Sequence, residues 1–247
     1  IEQAILSKLK SEPFKYDILV SDPSPDKRDV LPDGTGRNSK KECVLPDVML
    51  SSLKRINPTI KEDKIKEIVK TLRQDYTGTD IVDTNYKLYR QIRNNIKITV
   101  RRNGKEDFDF VKLIDFEHPE NNTFTAVSQM WIQGKVYYRR PDILIFVNGM
   151  PLVFIELKNS IVKIEEAYNK NLKDYIRDIP NLFAFNQICV LSNGLETKLG
   201  AFNATYDYFF EWLKVDSEKE KLDREAILAT DNVKDSSVRY FVDGLLN

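Results

Sequence analysis

The sequence predicts a mixed α/β (α+β) fold, in which a β-sheet is flanked by helices and preceded by a helical N-terminal region. Helical spacing of apolar residues recurs before Ile96, where the hydrophobic period changes to two. A long helical pattern then separates two apolar strands, at 152–155 and 187–191. Because a helix of that length can form a crossover, we expect these two strands to be parallel within one sheet.

The N-terminal region, residues 1–84, is predicted to pack on the sheet domain. A stretch rich in Pro, Asp, Gly and Lys at 13–41 favours a solvated connection with a short strand at Tyr16 to Val20, and a mobile flap is the alternative. A helix over 85–95 carries two tyrosines and two arginines. We interpret it as an amphipathic helix that packs its tyrosines, with a phosphate-backbone contact as the alternative. The predicted helices are residues 1–10, 46–56, 61–76 and 85–95.

The core domain is placed at residues 85–205. Alternating apolar residues and short turns predict an antiparallel meander, since each link is too short for a crossover helix. The predicted meander strands are residues 96–101, 108–116, 123–132, 137–147 and 152–158. A helix over 161–179, the parallel strand at 187–191 and a short strand at 198–202 are expected to follow.

The remaining C-terminal segment is placed at residues 206–247. Its aromatic stretch, Tyr206 to Trp212, favours packing in the core, with a docking patch as the alternative. The charge run at 214–224 predicts a solvated surface, and the apolar residues at 238–246 predict a closing helix or a docking segment.

Composition narrows the class of protein. The chain has 247 residues, 41% of them hydrophobic, so it can bury a core. Its 38 basic and 38 acidic residues balance, which excludes a protein that grips nucleic acid by charge alone. Two cysteines and one histidine argue against a disulfide framework, a zinc site and a Ser-His or Cys-His hydrolase. With no membrane span or signal peptide in the sequence, we expect a cytoplasmic protein.

The most informative stretch is a predicted hairpin with charges at its open end. Two apolar runs, 143–147 and 152–155, flank an Asn-Gly pair, which is a strong hairpin signal. This pairing would bring Asp142 next to Glu156 and Lys158, two residues apart on one side of a strand. Glu-x-Lys alone is typical of a solvated strand end. Its combination with a Pro-Asp pair across a buried hairpin favours a functional site.

These residue types suggest metal chemistry. Half-buried carboxylates are costly unless they are paired or bind a cation. Two carboxylates, from Asp142 and Glu156, suit a hard cation such as Mg²⁺, which prefers oxygen ligands and keeps several waters. Lys158 could orient an attacking water or stabilise developing negative charge.

The run from Arg140 to Asn159 resembles the N-terminal endonuclease domain of the restriction (motor, R) subunit of type I restriction–modification enzymes. It reads Arg-Pro-Asp-Ile-Leu-Ile-Phe-Val-Asn-Gly-Met-Pro-Leu-Val-Phe-Ile-Glu-Leu-Lys-Asn. Residues from about 85 to 200 follow the same family pattern, whereas the first eighty residues resemble it loosely. Flanking positions that match are Asp115-Phe116, Asn121-Asn122, Gln129, Asn186-Gln187 and Ser192-Asn193-Gly194.

The resemblance implies the PD-(D/E)xK nuclease fold and a set of site residues. Asp142 and Glu156 would bind Mg²⁺, or Mn²⁺ in its place, with the backbone carbonyl of Leu157, and Lys158 would assist the water. Family members commonly carry a Gln-x-x-x-Tyr motif on the next helix. Here Asn171 and Tyr175 occupy those positions, so a shorter amide with the same hydrogen-bonding groups replaces Gln. An upstream helix often supplies another acid, for which the candidates are Asp80 and Asp83.

The implied activity is hydrolysis of phosphodiester bonds in double-stranded DNA. Arg139 and Arg140, with Lys163, are expected to position the DNA backbone without reading bases. The resemblance also implies modification and specificity subunits as partners, and ATP-driven translocase domains that would follow in a longer protein. The chain contains no Walker A motif, so we expect it to be an N-terminal fragment.

Two other functions stay open from the sequence. The first is a docking module without catalysis, which attaches the motor to its partners through the aromatic stretch at 206–212. The second is a stand-alone PD-(D/E)xK repair or resolvase nuclease.

Overall fold

The computed structural model describes residues 1–211, and it has the predicted architecture of a mixed sheet flanked by helices. The predictions for Trp212, for 214–224 and for 238–246 lie outside the described residues. The helices are α1 (Glu2–Lys10), α2 (Pro46–Ile56), α3 (Glu62–Leu72), α4 (Ile81–Asn94), α5 (Ile164–Glu166) and α6 (Lys173–Asp178). The strands are β1 (Asp17–Val20), β2 (Ile96–Arg102), β3 (Lys105–Val111), β4 (Phe124–Ser128), β5 (Ile132–Gln133), β6 (Tyr138–Arg139), β7 (Ile143–Val147), β8 (Met150–Leu157), β9 (Ile188–Ser192), β10 (Thr197–Gly200) and β11 (Phe210–Glu211).

One sheet of seven strands organises the described chain, in the order β1-β4-β7-β8-β9-β10-β11. The central strands β4, β7 and β8 are antiparallel, whereas β8 and β9 are parallel. The parallel pair confirms the crossover predicted from the long helical pattern between these strands. The short strand predicted near residues 16–20 is confirmed as β1, which pairs in parallel with β4.

The turn between β7 and β8 has the geometry that the Asn-Gly pair predicts. Asn148 and Gly149 have φ values of +48° and +80°, as a type I′ turn requires. The Asn148 side chain is fully buried, and its amide donates to the Leu113 carbonyl at 2.9 Å and to Oδ1 of Asn122 at 2.8 Å. These hydrogen bonds connect the turn to the loop that contains Leu113 and Asn122, and they help to fix the register of the hairpin.

Two apolar layers cover the two faces of the sheet. On one face, Ile5, Leu6 and Leu9 of α1 pack against alternate residues of β4, β7, β8 and β9. On the other face, the segment from α5 to α6 covers the intervening residues, among them Leu144 and Phe154. A third cluster joins α2, α3 and α4 to the turn end of the β7–β8 hairpin.

The prediction of one continuous antiparallel meander is wrong. β2 and β3 form a separate two-stranded sheet, which packs on the helical cluster through Ile96 and Ile98. The predicted strands at 123–132 and 137–147 are each divided. Gln129 leaves the extended conformation at φ +58°, and Pro141 cannot donate a ladder hydrogen bond, so the short β5–β6 pair separates from the main sheet.

The predicted helix over 161–179 is present but not uniform. A π-helical segment, Ala167–Leu172, lies between α5 and α6. Such a segment carries more residues per turn than an α-helix and therefore changes which side chains face the sheet.

The interpretation that α4 packs its tyrosines is also wrong. Tyr86 and Tyr89 are 58% and 42% exposed, and Leu88 and Ile92 are the buried residues of that helix. The phosphate contact of this helix and the domain boundaries at 84/85 and 205/206 stay predictions. None of the helices in residues 1–211 combines the length and the apolar character needed to cross a membrane.

Candidate active site

The hairpin register brings the two predicted acids together. Ile143 of β7 pairs with Ile155 of β8, so Asp142 lies across from Glu156. Ile143 and Ile155 pack against α1, and side chains alternate along a strand. Asp142 and Glu156 therefore lie on the opposite face, which the segment from α5 to α6 covers.

Donors orient both carboxylate oxygens of Asp142. The Leu157 backbone N–H donates to Oδ2 at 2.7 Å, and the side-chain amide of Gln129 donates to Oδ1 at 3.3 Å. Burial raises the pKa of Asp142, and the nearby Glu2 carboxylate acts in the same direction. The Leu157 and Gln129 hydrogen bonds and Lys158 oppose that rise.

Glu156 is the more deeply buried acid, with 2% of its surface exposed. Its Oε1 accepts hydrogen bonds from Lys158 Nζ at 2.9 Å and from the Asn171 side chain at 2.7 Å. Its Oε2 is buried and has no hydrogen-bond partner in the described residues. Burial, assisted by the Asp142 carboxylate, raises the pKa of Glu156 to about 7.

Lys158 follows β8 directly and keeps its ammonium in the site. The Lys158 backbone N–H donates to the Ser192 carbonyl of β9 at 2.7 Å, which anchors the residue to the sheet. Its side chain is 22% exposed, so the ammonium contacts the buried Glu156 and also solvent. Leu157, the predicted carbonyl ligand, is the last residue of β8 and lies between Glu156 and Lys158 in the chain.

The segment between α5 and α6 supplies the predicted amide and tyrosine. Asn171 lies within the π-helical segment, and its shorter amide does reach the Glu156 carboxylate. Tyr175 is buried, and its hydroxyl donates to the Arg140 carbonyl at 3.1 Å. Burial and the Glu156 and Asp142 carboxylates raise the Tyr175 pKa.

The basic residues that were predicted to contact DNA differ in the partners that they have in the structure. Arg139 is paired with the buried Asp178 of α6, its Nε donating to Oδ2 at 2.8 Å. Arg140 donates to the Pro23 carbonyl at 2.6 Å, and its guanidinium lies 5.3 Å from the centre of the Trp131 ring. The exposed Lys163 precedes α5. Arg139 thus has a structural partner already, whereas Arg140 stays without a carboxylate partner in the described residues.

Sequence reasoning missed Glu2, in the first turn of α1. Its Oε2 accepts a 2.9 Å hydrogen bond from the Gln129 amide that also contacts Asp142. The candidates named for an upstream acid have other partners: Asp80 caps α4, and Asp83 pairs with Lys87. An acid in the first turn of a short amphipathic helix was the available signal, but nothing in the sequence linked it to a strand 140 residues away.

The donor set fits a hard divalent cation that retains water. Asp142 offers a half-buried carboxylate, and Oε2 of Glu156 is a buried oxygen without a hydrogen-bond partner in the described residues. Within residues 1–211, no group of three or more His, Cys, Asp or Glu side chains is arranged to hold a metal ion. Two carboxylates with waters completing the shell match the preference of Mg²⁺, and the lack of His or Cys donors makes zinc a poor fit.

Comparisons with known proteins identify the family of this chain. The model of the family "Type I restriction enzyme R protein N terminus" matches residues 2–208. The chain is 32% identical to the type I restriction enzyme HindI endonuclease subunit of Haemophilus influenzae, over 90% of this chain and 20% of that protein. It is 30% identical to a Methanocaldococcus jannaschii protein provisionally named as the MjaIXP type I restriction enzyme endonuclease subunit, over 97% of this chain and 22% of that protein.

A shorter match extends the comparison to a third organism. The type I restriction enzyme SsaAORF53P endonuclease subunit of Staphylococcus saprophyticus is 30% identical over 41% of this chain and 11% of that protein. The chain spans about a fifth of the length of the Methanocaldococcus jannaschii and Haemophilus influenzae relatives, at 22% and 20%. With most of its length matched by the family model, the chain belongs to the N-terminal region family of type I restriction enzyme R proteins.

Proposed function

We propose that this chain is a Mg²⁺-dependent endonuclease domain that hydrolyses phosphodiester bonds of DNA. The observation that carries the proposal is the facing pair of Asp142 and Glu156, with Lys158 hydrogen-bonded to Glu156 at 2.9 Å. The half-buried Asp142 and the buried Glu156 carboxylates would repel each other without a compensating cation, and both have raised pKa values. A divalent cation removes this repulsion, and Mn²⁺ is expected to substitute for Mg²⁺.

In this proposal the acids of the site bind the cation together with one backbone carbonyl. Asp142, Oε2 of Glu156 and the Leu157 carbonyl would hold the cation, which supplies Lewis-acid activation of water and neutralises phosphate charge. Asn171 keeps Oε1 of Glu156 occupied as an acceptor, at 2.7 Å, so that Oε2 is the oxygen left for a ligand. Glu2 lies one hydrogen-bonded amide away from Asp142 and is the candidate for a further acid.

Lys158 would act on the substrate. Its ammonium shares Oε1 of Glu156 with Asn171, and its side chain is partly exposed. From that position it would orient the attacking water or stabilise the charge that develops on the phosphate. Arg140 and Lys163 would position the DNA backbone, and Tyr175 would hold the Arg140 backbone beside the acids.

The activity of the longer protein is part of the same proposal. We propose cleavage of unmodified foreign DNA in the cytoplasm after ATP-driven translocation, with ATP used by motor domains outside this chain. Modification and specificity subunits would be the partners. Support comes from the family membership and from relatives named as endonuclease subunits.

A metal titration and a cleavage assay test the proposal. Calorimetry of the 247-residue chain with Mn²⁺ should give saturable binding that Asp142→Ala abolishes. Asp63→Ala, on the exposed surface of α3, is a matched control that should bind as tightly as the wild type. Plasmid nicking at low salt with Mn²⁺ measures the weak activity expected of a neutral domain alone. Absence of saturable binding by the wild-type chain would refute the metal site.

A docking role without catalysis is the second candidate. Exposed aromatic residues favour it, because such residues are enriched in protein interfaces. Within the aromatic stretch, Phe209 is buried, whereas Tyr208 and Phe210 are 65% and 67% exposed. Metal binding without any nicking, in the chain or in the assembled enzyme, would favour docking. A stand-alone repair or resolvase nuclease would instead cut DNA without ATP or other subunits.

A further inference from the structure

Gln129 joins two acids that come from distant parts of the chain. Its side-chain Nε2 donates to Oε2 of Glu2 at 2.9 Å and to Oδ1 of Asp142 at 3.3 Å. Its backbone N–H also donates to the Asp142 carbonyl at 2.9 Å, which continues the β4–β7 ladder beyond its last paired residues. One residue therefore connects the first turn of α1 to the start of β7.

The Gln129 backbone is in a conformation that its residue type disfavours. Its φ is +58°, in the left-handed region that glycine adopts without steric cost. Glycine at this position would end β4 equally well but would lack the amide. Non-glycine residues in such conformations cluster at functional sites, where the surrounding structure compensates for the strain. This argues that the side chain of Gln129 has a role of its own.

The chemistry of the amide suits a site built from like charges. A primary amide has two N–H donors and no charge, so it can hold two carboxylates without neutralising them. Gln129 donates to Oδ1 of Asp142, and the Leu157 N–H donates to Oδ2, so each oxygen of this carboxylate has one donor. A lysine or arginine here would pair with the acids and compete with the cation they are proposed to bind.

We infer that Gln129 is a positioning residue, whose side-chain amide holds Asp142 and Glu2 in the arrangement that receives the divalent cation. The inference rests on the proposed function and adds to it the group that sets the geometry of the acids. Gln129 is not itself a ligand in this arrangement. Groups that orient metal ligands by hydrogen bonding typically change metal affinity 10- to 100-fold, about the effect expected here.

Mn²⁺ calorimetry on the 247-residue chain, with every variant measured at the same pH, tests the inference. Gln129→Leu keeps the side-chain bulk and removes the donors, so its Mn²⁺ affinity should fall about 10- to 100-fold. Gln91→Leu makes the same change on the exposed surface of α4 and should bind Mn²⁺ as the wild type does. The melting temperature of each metal-free variant is measured in parallel.

A second variant separates positioning from folding. Gln129→Gly removes the amide and also relieves the left-handed conformation, so its metal-free melting temperature should equal or exceed that of Gln129→Leu. Its Mn²⁺ affinity should still fall by the same factor. Wild-type affinity in the folded Gly variant would overturn the inference while leaving the proposed function intact. Absence of Mn²⁺ binding by the wild type would overturn both.

Discussion

The side-chain amide of Asn171 donates a 2.7 Å hydrogen bond to Oε1 of Glu156. An asparagine is one methylene shorter than a glutamine, so the contact depends on where the backbone lies. Asn171 belongs to the π-helical segment Ala167–Leu172, which follows α5 at the covered face of the sheet. We interpret the π segment as the backbone change that lets the shorter amide reach Glu156.

Removing this amide should change the pH dependence of metal binding. Asn171→Leu takes one donor from Glu156, so the pKa of this carboxyl should rise further above its present value of about 7. The pH midpoint of Mn²⁺ binding should therefore rise, by up to about one unit. Asn169→Leu changes an exposed amide of the same segment and should leave the midpoint unchanged. An equal shift in both variants would contradict a specific role for Asn171.

Loss of any of the three central residues should stop DNA cleavage by an assembled enzyme that contains the variant subunit. Asp142→Ala and Glu156→Ala each remove a proposed ligand, and Lys158→Ala removes the ammonium beside Glu156. We expect cleavage to fall by more than about 10²-fold in each case. ATP hydrolysis measured in the same reactions should stay at the wild-type level, because the proposed motor domains lie outside this chain. Normal cleavage by Glu156→Ala would refute the assignment.

Local sequence patterns were sufficient to predict the central hairpin and its acids. Asn148 and Gly149 specify a type I′ turn, and this turn together with the alternation of side chains places Asp142 and Glu156 on one face. The helix between β8 and β9 was long enough to predict a parallel pair, as observed. These features depend on neighbouring residues, so one sequence contains the information for them.

The parts that were missed depend on tertiary contacts. Alternation in β2 and β3 predicted strands correctly but could not indicate that their apolar face packs on helices instead of joining the main sheet. Glu2 reaches the site only because α1 packs across β7 and β8, a contact between residues far apart in sequence. Gln129 ends β4 through a left-handed φ that residue type alone does not predict.

The raised pKa of Glu156 should make the metal-free protein less stable as pH rises. The folded carboxyl has a pKa of about 7, against 4.5 as its ordinary value, so the native state keeps this proton where the unfolded chain has lost it. The contribution of Glu156 to the free energy of unfolding is full below pH 4.5 and is lost as the pH rises through about 7. Urea unfolding should show a loss on the order of 2 kcal/mol between about pH 5 and pH 8.

A neutral substitution and a metal ion provide the controls for the loss of stability at high pH. Glu156→Gln keeps the shape of the side chain without the titrating group, so its stability should vary less over the same pH range. Saturating Mg²⁺ should restore stability of the wild type at high pH, because the ion binds the native state. If the stability of the wild type rises between about pH 5 and pH 8, the assigned direction of the Glu156 pKa shift is wrong.

Gly149 should tolerate no side chain. A Cβ on this residue would lie 2.5 Å from the Leu45 carbonyl oxygen and 2.8 Å from the Met49 backbone nitrogen, and its φ is +80°. Gly149→Ala must therefore displace the start of α2 as well as strain the turn, at a cost of more than about 1 kcal/mol. Gly104→Ala is a matched control, since it shares the positive φ but has open space around it. Urea unfolding should show the larger loss for Gly149→Ala.

A buried ion cluster should dominate the stability of the loop before α2. Asp33 accepts from Arg37 and Lys40 at 2.6 Å each, and the three side chains are 8%, 0% and 3% exposed. Burial opposes ionisation of Asp33, but the two cations hold its pKa below the ordinary range. Asp33→Ala removes the carboxylate that both cations share and should cost about 3–5 kcal/mol, because it leaves the buried Arg37 and Lys40 without their anionic partner. Lys64→Met breaks an exposed pair with Glu67 and should cost less than about 1 kcal/mol in the same denaturant titration. Equal losses in the two variants would show that burial does not set the strength of the Asp33 cluster.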